Sequence, residues 1–358
     1  MEIRMRRAIR KGRGKRESMR KGTERDFHPK EKLNLQPISF SQIDGIKVGQ
    51  AQDKAGGTGC TVILCREGAA TGVDVRGSAP ASRETDAIRP GNVCEKAHAV
   101  MLCGGSAFGL DAAGGAAAYL EEQGIGFDVG VTMVPIVCAA SIFDLSVGEA
   151  KARPNWEMGR LACERASREP VMEGNFGAGT GASIGKLFGA ERCMKSGLGA
   201  YAVQVGALQV GAIAVVNALG DVFDLDSGEQ IGGLLAQDRA GFVSTEAMMY
   251  RRTAGSKNYF AKNTTIACIV TNGKLDAAQA AKIASMAHDG MARTIRPVHT
   301  WADGDTVFAM ATGRVEADAN VVGTLAARVL GHAINRGVKL AEGAYGLPSA
   351  KDLKKSCI

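Results

Sequence analysis

The sequence predicts an α/β layered sandwich. Strand-like and helix-like segments follow one another in a mixed order that suits neither an all-α nor an all-β design. The 358 residues are ample for a large core. Forty-seven glycines against five tyrosines and two tryptophans point to tight turns and close backbone packing rather than an aromatic-lined binding surface. Alanine and glycine are spread through periodic segments, unlike low-complexity sequence, and no internal repeat is visible.

Order is expected from near Ile43, after a basic arm. Thr58–Cys65 reads as a strand and Gly72–Arg76 as another after a short turn. Ala97–Cys103 is an apolar strand running into Gly104-Gly105-Ser106, with a small-residue helix over Ala107–Gln123 and Ser106 as its cap. Val134–Leu145 is apolar and ends in Phe143-Asp144-Leu145; Trp156–Ser167 reads as an exposed helix. The glycine-rich run Gly174–Gly185 leads to Lys186. Ser196–Gly220 carries no charge, but Gln204, Gln209 and Asn217 interrupt it and its period is two, so it reads as two strands joined at Gly206-Ala207 and not as a membrane span. Leu235–Ala261 has no clear period and is expected to be a mobile loop or linker. Ile266–Val270 is a strand, and Asp276 caps a helix with Ile283, Met286, Ala287 and Met291 on one face. Thr306–Ala311 is a strand, and Ala317–Arg336 a last helix with Val321, Leu325, Val329 and Ala333 on one face.

Charge and cysteine usage narrow the function classes. The net charge of +7 sits in residues 1–32, which hold thirteen Lys/Arg and five Asp/Glu; the rest holds 31 basic against 32 acidic residues. The arm, with Arg4, Arg6, Arg7, Arg10, Lys11, Arg13, Lys15 and Arg16, could bind nucleic acid or anionic lipid weakly and without sequence preference, or be a disordered leader. Met19 offers an alternative start. Nine cysteines, an odd number without two-residue spacing, mostly sit in apolar runs, which fits free thiols and a cytoplasmic location. The N-terminus has no apolar stretch behind its charges, so no secretory signal is expected.

The stretch that stands out for chemistry is Lys262-Asn263-Thr264-Thr265, ahead of Ile266-Ala267-Cys268-Ile269-Val270. Asn-Thr-Thr-Ile is a common way to begin a strand. If the Asn263–Thr264 bond were cut, however, Thr264 would carry a hydroxyl beside its own α-amine, a nucleophile and base in one residue. Gly104-Gly105-Ser106-Ala107-Phe108 resembles a serine nucleophile elbow, but Phe108 stands where glycine is required. Gly177–Lys186 resembles a phosphate loop, yet Thr180 replaces a required glycine and Leu187 follows the lysine where Ser or Thr would hold magnesium. His288, His299, Asp303 and Asp305 lack helix-spaced histidines, so neither metal nor cofactor is expected. His98 and His332 are read as packing or capping residues. Asp303-Gly304-Asp305-Thr306 places two carboxylates about one glycine at a strand start, where they could orient an amine or a threonine hydroxyl, or simply form an acidic turn.

Five stretches in the same order resemble one family: Gly104–Leu110, Ile142–Leu145, Val215–Val222, Lys262–Asn272 and His299–Phe308. They are similar to the self-processing hydrolases that include L-aminopeptidase/D-esterases, β-peptidyl aminopeptidases and nylon-oligomer endohydrolases. The resemblance covers roughly Ile43 to Leu347 and not the arm. It implies a four-layer αββα sandwich, cut at Asn263–Thr264 into a larger fragment containing residues 41–263 and a smaller one of residues 264–358, which together form one domain after an arm of residues 1–40. It also implies Thr264 as nucleophile, Asn217 as oxyanion donor, Lys186 as a lysine near the nucleophile, and Asp303 with Asp305 as the pair that orients the site. A homo-oligomer, often a tetramer, and a small peptide or amide substrate are implied as partners, with no membrane. Phe143 stands where nylon-oligomer hydrolases carry tyrosine, and threonine stands where many peptidase relatives use serine, so the substrate does not carry over with the mechanism. The expected activity is amide hydrolysis by an aminopeptidase or oligoamide hydrolase. An acyltransferase of the ornithine acetyltransferase type and a noncatalytic nucleic-acid-binding protein are the alternatives.

Overall fold

The computed structural model of the protein describes residues 35–251 and 263–355. The basic arm of residues 1–32, Met19 and Lys262 lie outside the described residues. One sheet runs through the molecule, built from β1 (Gln36–Ile38), β2 (Lys47–Asp53), β3 (Thr58–Val75), β4 (Lys96–Cys103), β5 (Val137–Ser141), β6 (Leu198–Val205), β7 (Leu208–Val215), β8 (Ile266–Lys274) and β9 (Thr306–Glu316). Their order is β1-β6-β7-β8-β9-β3-β4-β5, with Ser82–Arg83 at the far edge and β2 paired to the first half of β3. β1 lies ahead of Ile43 and Phe40 is buried, so the folded body begins inside the stretch assigned to the arm.

The 18 residues of β3 replace the two short strands expected, and their length explains the layering. Cys60–Leu64 pairs with β4, whereas Ala70–Val75 pairs with β9. Between them the register slips and Gly68 takes φ 71°, a left-handed value that suits a residue without Cβ. The strand therefore passes from one half of the sheet to the other, and the halves fold face to face. Ile63, Val100, Leu102, Cys138 and Ala140 from one half meet Ile213, Ile266, Cys268, Val270 and Phe308 from the other in a single apolar cluster.

Side chains alternate along a strand, so the residues between these point outward to helices. Val62, Leu64, Ala99, Met101 and Ala139 pack against α1 (Ala112–Glu121) and α2 (Trp156–Glu164) through Ala112, Ala116, Leu120 and Ala162. On the opposite side, α3 (Ala277–Thr294) and α4 (Ala319–Lys339) pack on each other and on β3, β6, β7 and β9. The result is four layers, helices outside and two sheet halves inside. The helix starts are chemically marked. Asp276 accepts from Gln279 N in a capping box, and Asp318 accepts from the N–H groups of Asn320 and Val321.

Several expectations are corrected. Ser106 does not cap α1: it opens a 3₁₀ turn over Ser106–Asp111 at φ 56°, after Gly105 at φ 80°. α2 is not an exposed helix throughout, because Ala162 and Cys163 are buried. On α4, Val321 faces out at 48% exposure and Val322 takes its place in the packed face. The segment from Leu235 is not structureless: Leu235 bridges Phe242, and Ser244 caps a short helix over Thr245–Tyr250. Buried Asp221 fixes that segment, accepting from Leu234 N, Thr245 N and Thr245 Oγ1 at 2.7–2.9 Å. The rest of it, residues 252–261, lies outside the described residues. Among the described residues, no helix is long and apolar enough to cross a membrane.

Candidate active site

β8 and β9 run parallel with Ile266 beside Thr306, so the residues just ahead of each strand are brought side by side. Asn263 bridges Asp303, Gly304 N donates to the Asn263 carbonyl at 3.1 Å, and Thr306 N donates to the Thr265 carbonyl at 3.2 Å. β7 runs antiparallel on the other side, with Val215 opposite Ile266, and its next residues continue the ladder: Thr264 N donates to the Asn217 carbonyl at 3.0 Å. Three strand ends thus converge on Asn263–Thr264. Both residues are 4% exposed, and the Thr264 hydroxyl donates to the Asn263 carbonyl oxygen.

The side chain of Asn217 is fixed by its neighbours. Its Oδ1 accepts from Ser183 N at 3.1 Å and from Lys186 Nζ at 2.5 Å, while its Nδ2 donates to the Phe143 carbonyl at 3.1 Å. Two donors on one side and a carbonyl on the other determine which way the amide is turned. Lys186 Nζ also donates to the Asn217 main-chain carbonyl at 3.1 Å, the oxygen that receives Thr264 N. The resemblance implied a lysine near Thr264, and Lys186 meets Asn217, whose carbonyl receives Thr264 N.

The two aspartates hold the frame around Thr264. Asp305 accepts from Thr265 N at 2.7 Å, and from His299 N and Nδ1 at 3.1 and 2.8 Å. Asp303 accepts from Thr300 N and Oγ1 at 2.8 and 2.5 Å and shapes the turn before β9. They therefore reach the residue after Thr264 and the neighbouring turn, where the sequence had suggested contact with the threonine hydroxyl or amine. Burial, then the charge of Asp305, pushes Asp303 up to about 6. Between the aspartates, Gly304 leaves no room for a side chain: a Cβ there would stand 2.6 Å from the Ala79 carbonyl and 2.9 Å from Thr264 Oγ1.

Four further residues belong to this centre. Asp144 is 2% exposed and accepts from Thr58 Oγ1 at 2.8 Å and Gly105 N at 2.6 Å; burial raises its pKa, while these bonds and the Lys186 charge oppose the rise. Ser183 supplies the N–H on Asn217, His299 braces Asp305, and Lys195 lies fully buried behind the glycine-rich run. Three of them left a trace in the sequence: Asp144 is a lone charge ending an apolar run, Lys195 immediately precedes the uncharged stretch from Ser196, and His299 stands beside the Asp303–Asp305 pair as one of the candidate metal ligands.

The competing readings find other uses for their residues. In the glycine-rich run, Gly177 N and Ala178 N donate to Gln52 Oε1 and Thr61 Oγ1, so these amides are turned into the body of the protein. His288 is buried with Nε2 at 3.0 Å from the Asp74 carbonyl, and its ring meets that of His299 edge-on at 4.7 Å. Burial lowers it to about 4. No group of three or more His, Cys, Asp or Glu among the described residues is arranged to hold a metal ion.

Residues 39–347 match the model of peptidase family S58. An uncharacterized aminopeptidase of Mycobacterium tuberculosis is 39% identical over 347 residues, covering 88% of this chain and 97% of its own. A 6-aminohexanoate-oligomer endohydrolase of a Kocuria species is 31% identical, covering 88% of this chain and 89% of its own. Among solved structures, the L-aminopeptidase D-Ala-esterase/amidase of Ochrobactrum anthropi, described as a variant of the Ntn hydrolase fold, superposes with a TM-score of 0.68 at 16% identity, over 90% of this chain and 93% of that one. A Burkholderia β-aminopeptidase gives 0.63 at 18% identity, over 89% and 92%. These likenesses show the αββα fold; the family match and the 39% and 31% identical relatives carry the activity class of peptidase or amidohydrolase.

Proposed function

The chain belongs to peptidase family S58, and from that premise we propose that it is a self-processing amide-bond hydrolase whose nucleophile is Thr264, made N-terminal by cleavage after Asn263. The observation that carries this reading is the buried Thr264 hydroxyl set against the carbonyl of the residue before it, where three strand ends meet. In the first reaction, Thr264 Oγ1 attacks the Asn263 carbonyl carbon. The C–N bond breaks, its nitrogen takes up the hydroxyl proton, and an ester links the two residues. Water opens the ester, leaving a carboxylate on Asn263 and a free amine on Thr264. Gly304 N, already bonded to the Asn263 oxygen, supports the negative charge that this oxygen gains.

The same hydroxyl then serves substrate. An α-amine with a pKa of roughly 7.7–8.0 takes its proton near neutral pH. The hydroxyl adds to the substrate amide, the leaving amine receives the proton, and water releases the acyl group. Asn217 Nδ2 has two hydrogens, of which the Phe143 carbonyl takes one; the other is assigned to the oxyanion. Lys186 and Ser183 N keep the amide turned for this task. The substrate class is a small peptide amide or an oligoamide, as the names of the relatives suggest.

A denaturing gel with N-terminal sequencing tests the proposal. Purified wild type is expected as two fragments, the smaller beginning at Thr264, and Thr264→Ala as one intact chain. Hydrolysis of an aminoacyl anilide or a 6-aminohexanoate oligomer is expected only from the cut protein. An intact wild-type chain that turns over substrate would refute the mechanism.

A further inference from the structure

Lys195 is fully buried at the end of the short strand Met194–Lys195, yet among the described residues no carboxylate lies within ion-pair distance of it. Its ammonium instead donates to three main-chain carbonyls: Gly179 at 3.1 Å, Ala182 at 3.0 Å, and Ser196. Three donors meet three acceptors, the full capacity of the group. Gly179 and Ala182 belong to the glycine-rich run, and the residue after Ala182 is Ser183, whose N–H holds Asn217 Oδ1. Ser196 completes the tie: its N–H donates to the Ala182 carbonyl at 3.1 Å and its hydroxyl to the Val216 carbonyl. Gly197 then accepts from Val216 N at 3.0 Å. Lys195–Gly197 thus joins the run on one side of Asn217 to the strand end on the other.

We infer that Lys195 is a positioning residue of this site, its ammonium locking the glycine-rich run to the Val216–Asn217 segment so that the Asn217 amide stays turned toward substrate. The inference rests on the proposed role of Asn217. It needs the charged form, because a neutral amine has two hydrogens and a lone pair, and one of the three carbonyls would then face that lone pair.

The charged groups facing Lys195 are Asp144, beyond the end of β5, which favours the ammonium, and Lys186, at the end of the run, which opposes it. Burial, with the Lys186 charge adding to it, outweighs Asp144 and brings its pKa down to about 7 from 10.5. On the alkaline side, activity and stability then respond to pH in opposite directions. The Thr264 α-amine must lose its proton for kcat to rise, whereas deprotonation of Lys195 loosens the lock, so the two ionisations together give kcat a rising limb and, above it, a falling limb that Lys195 supplies. The unfolded chain binds this proton more tightly than the folded one between about pH 7 and pH 10.5, so over that interval stability rises with pH. A lysine that only filled space would give the stability limb through its lowered pKa, but no loss of kcat.

The test follows kcat, KM and thermal midpoint from about pH 6 to pH 10 for wild type, Lys195→Met and Lys195→Arg. The substrate is whichever of an aminoacyl anilide and a 6-aminohexanoate oligomer the wild type hydrolyses, and the Thr264 fragment is confirmed by sequencing. Lys195→Met is expected to lower kcat by about tenfold to a hundredfold with KM held within about twofold, and to erase the alkaline limb. Lys195→Arg, charged throughout the range, should recover part of kcat and also lack that limb. If neither variant folds, the wild-type curve decides: a kcat that falls again above the α-amine's ionisation supports the role, and a kcat that rises through that ionisation and then stays level to about pH 10 excludes it. A cut, folded Lys195→Met with the wild-type profile overturns the inference alone. An uncut, inactive wild type overturns the proposed function and the inference with it.

Discussion

Asn217 joins two parts of the site, its main-chain carbonyl holding Thr264 N and its side-chain amide held by Lys186 and Ser183; the proposed function makes that amide the oxyanion donor. Losing one oxyanion donor costs about 2.7–4 kcal/mol of transition-state stabilisation, so Asn217→Ala should lower kcat by about a hundredfold to a thousandfold, read in steady-state kinetics of the cut enzyme. Asp303 makes a separate prediction about stability. In the unfolded chain an aspartate ionises near 3.8, whereas Asp303 in the fold does so near about 6. Between these values the fold keeps a proton that the unfolded chain has lost, so stability falls as pH rises from about 4 to about 6 and stays lower above. Asp303→Asn, which keeps an acceptor for Thr300, should abolish that fall and gain on the order of 3 kcal/mol at pH 7. Thermal midpoints against pH would show it, and parallel curves for variant and wild type would exclude it. Asn217 was singled out only through the resemblance, whereas Lys186 and the aspartate pair also stood out by their place, after a glycine-rich run and about one glycine. Ser183 acts through its own main-chain N–H on an amide that a strand end 34 residues away brings to it, which no local pattern in the sequence encodes.

The element that makes the site is the parallel pair of β8 and β9, whose first residues stand abreast. Their existence could be read from apolar runs after Thr265 and Asp305, but their pairing could not, since 31 residues, including all of α3, separate Lys274 from Thr306. The same limit hid the crossing of β3, where two short strands were expected and one long strand turns between the sheet halves. Gly304 tests how closely the two strand starts must approach. A methyl group there would meet the Ala79 carbonyl and the Thr264 hydroxyl, both within 3 Å. Gly304→Ala is expected to slow or block cleavage at Thr264 at a stability cost of about 1–3 kcal/mol. The gel reads the first effect and urea unfolding the second. Normal processing in a variant of wild-type stability would show that this approach is unimportant.

Across the whole molecule, the residues that follow Thr264 supply the centre and not an appendage. β8 and β9 are flanked by β7 on one side and β3 on the other, and α3 and α4 cover one outer face. A fragment held by two ladders and an apolar cluster has no separate core of its own. The cut protein is therefore expected to elute from a non-denaturing column with both fragments together, and to lose them only in the transition that unfolds it. Separation under native conditions would contradict this arrangement. The layered class was readable from the mixed order of strands and helices, whereas the four layers came from the resemblance. The reason is physical: which face of a strand turns inward depends on partners distant in the chain.

On the proposed mechanism, the contact between the Thr264 hydroxyl and the carbonyl just before it also makes the first reaction first order in protein. Both reactants are carried by the same chain, one residue apart, so encounter by diffusion plays no part. The half-time of maturation should be the same at nanomolar and at micromolar protein. Mixing an intact Thr264→Ala chain with cut enzyme should leave the variant whole, because its bond lies buried beyond the reach of a second molecule. Each chain would mature on its own clock, started when it folds.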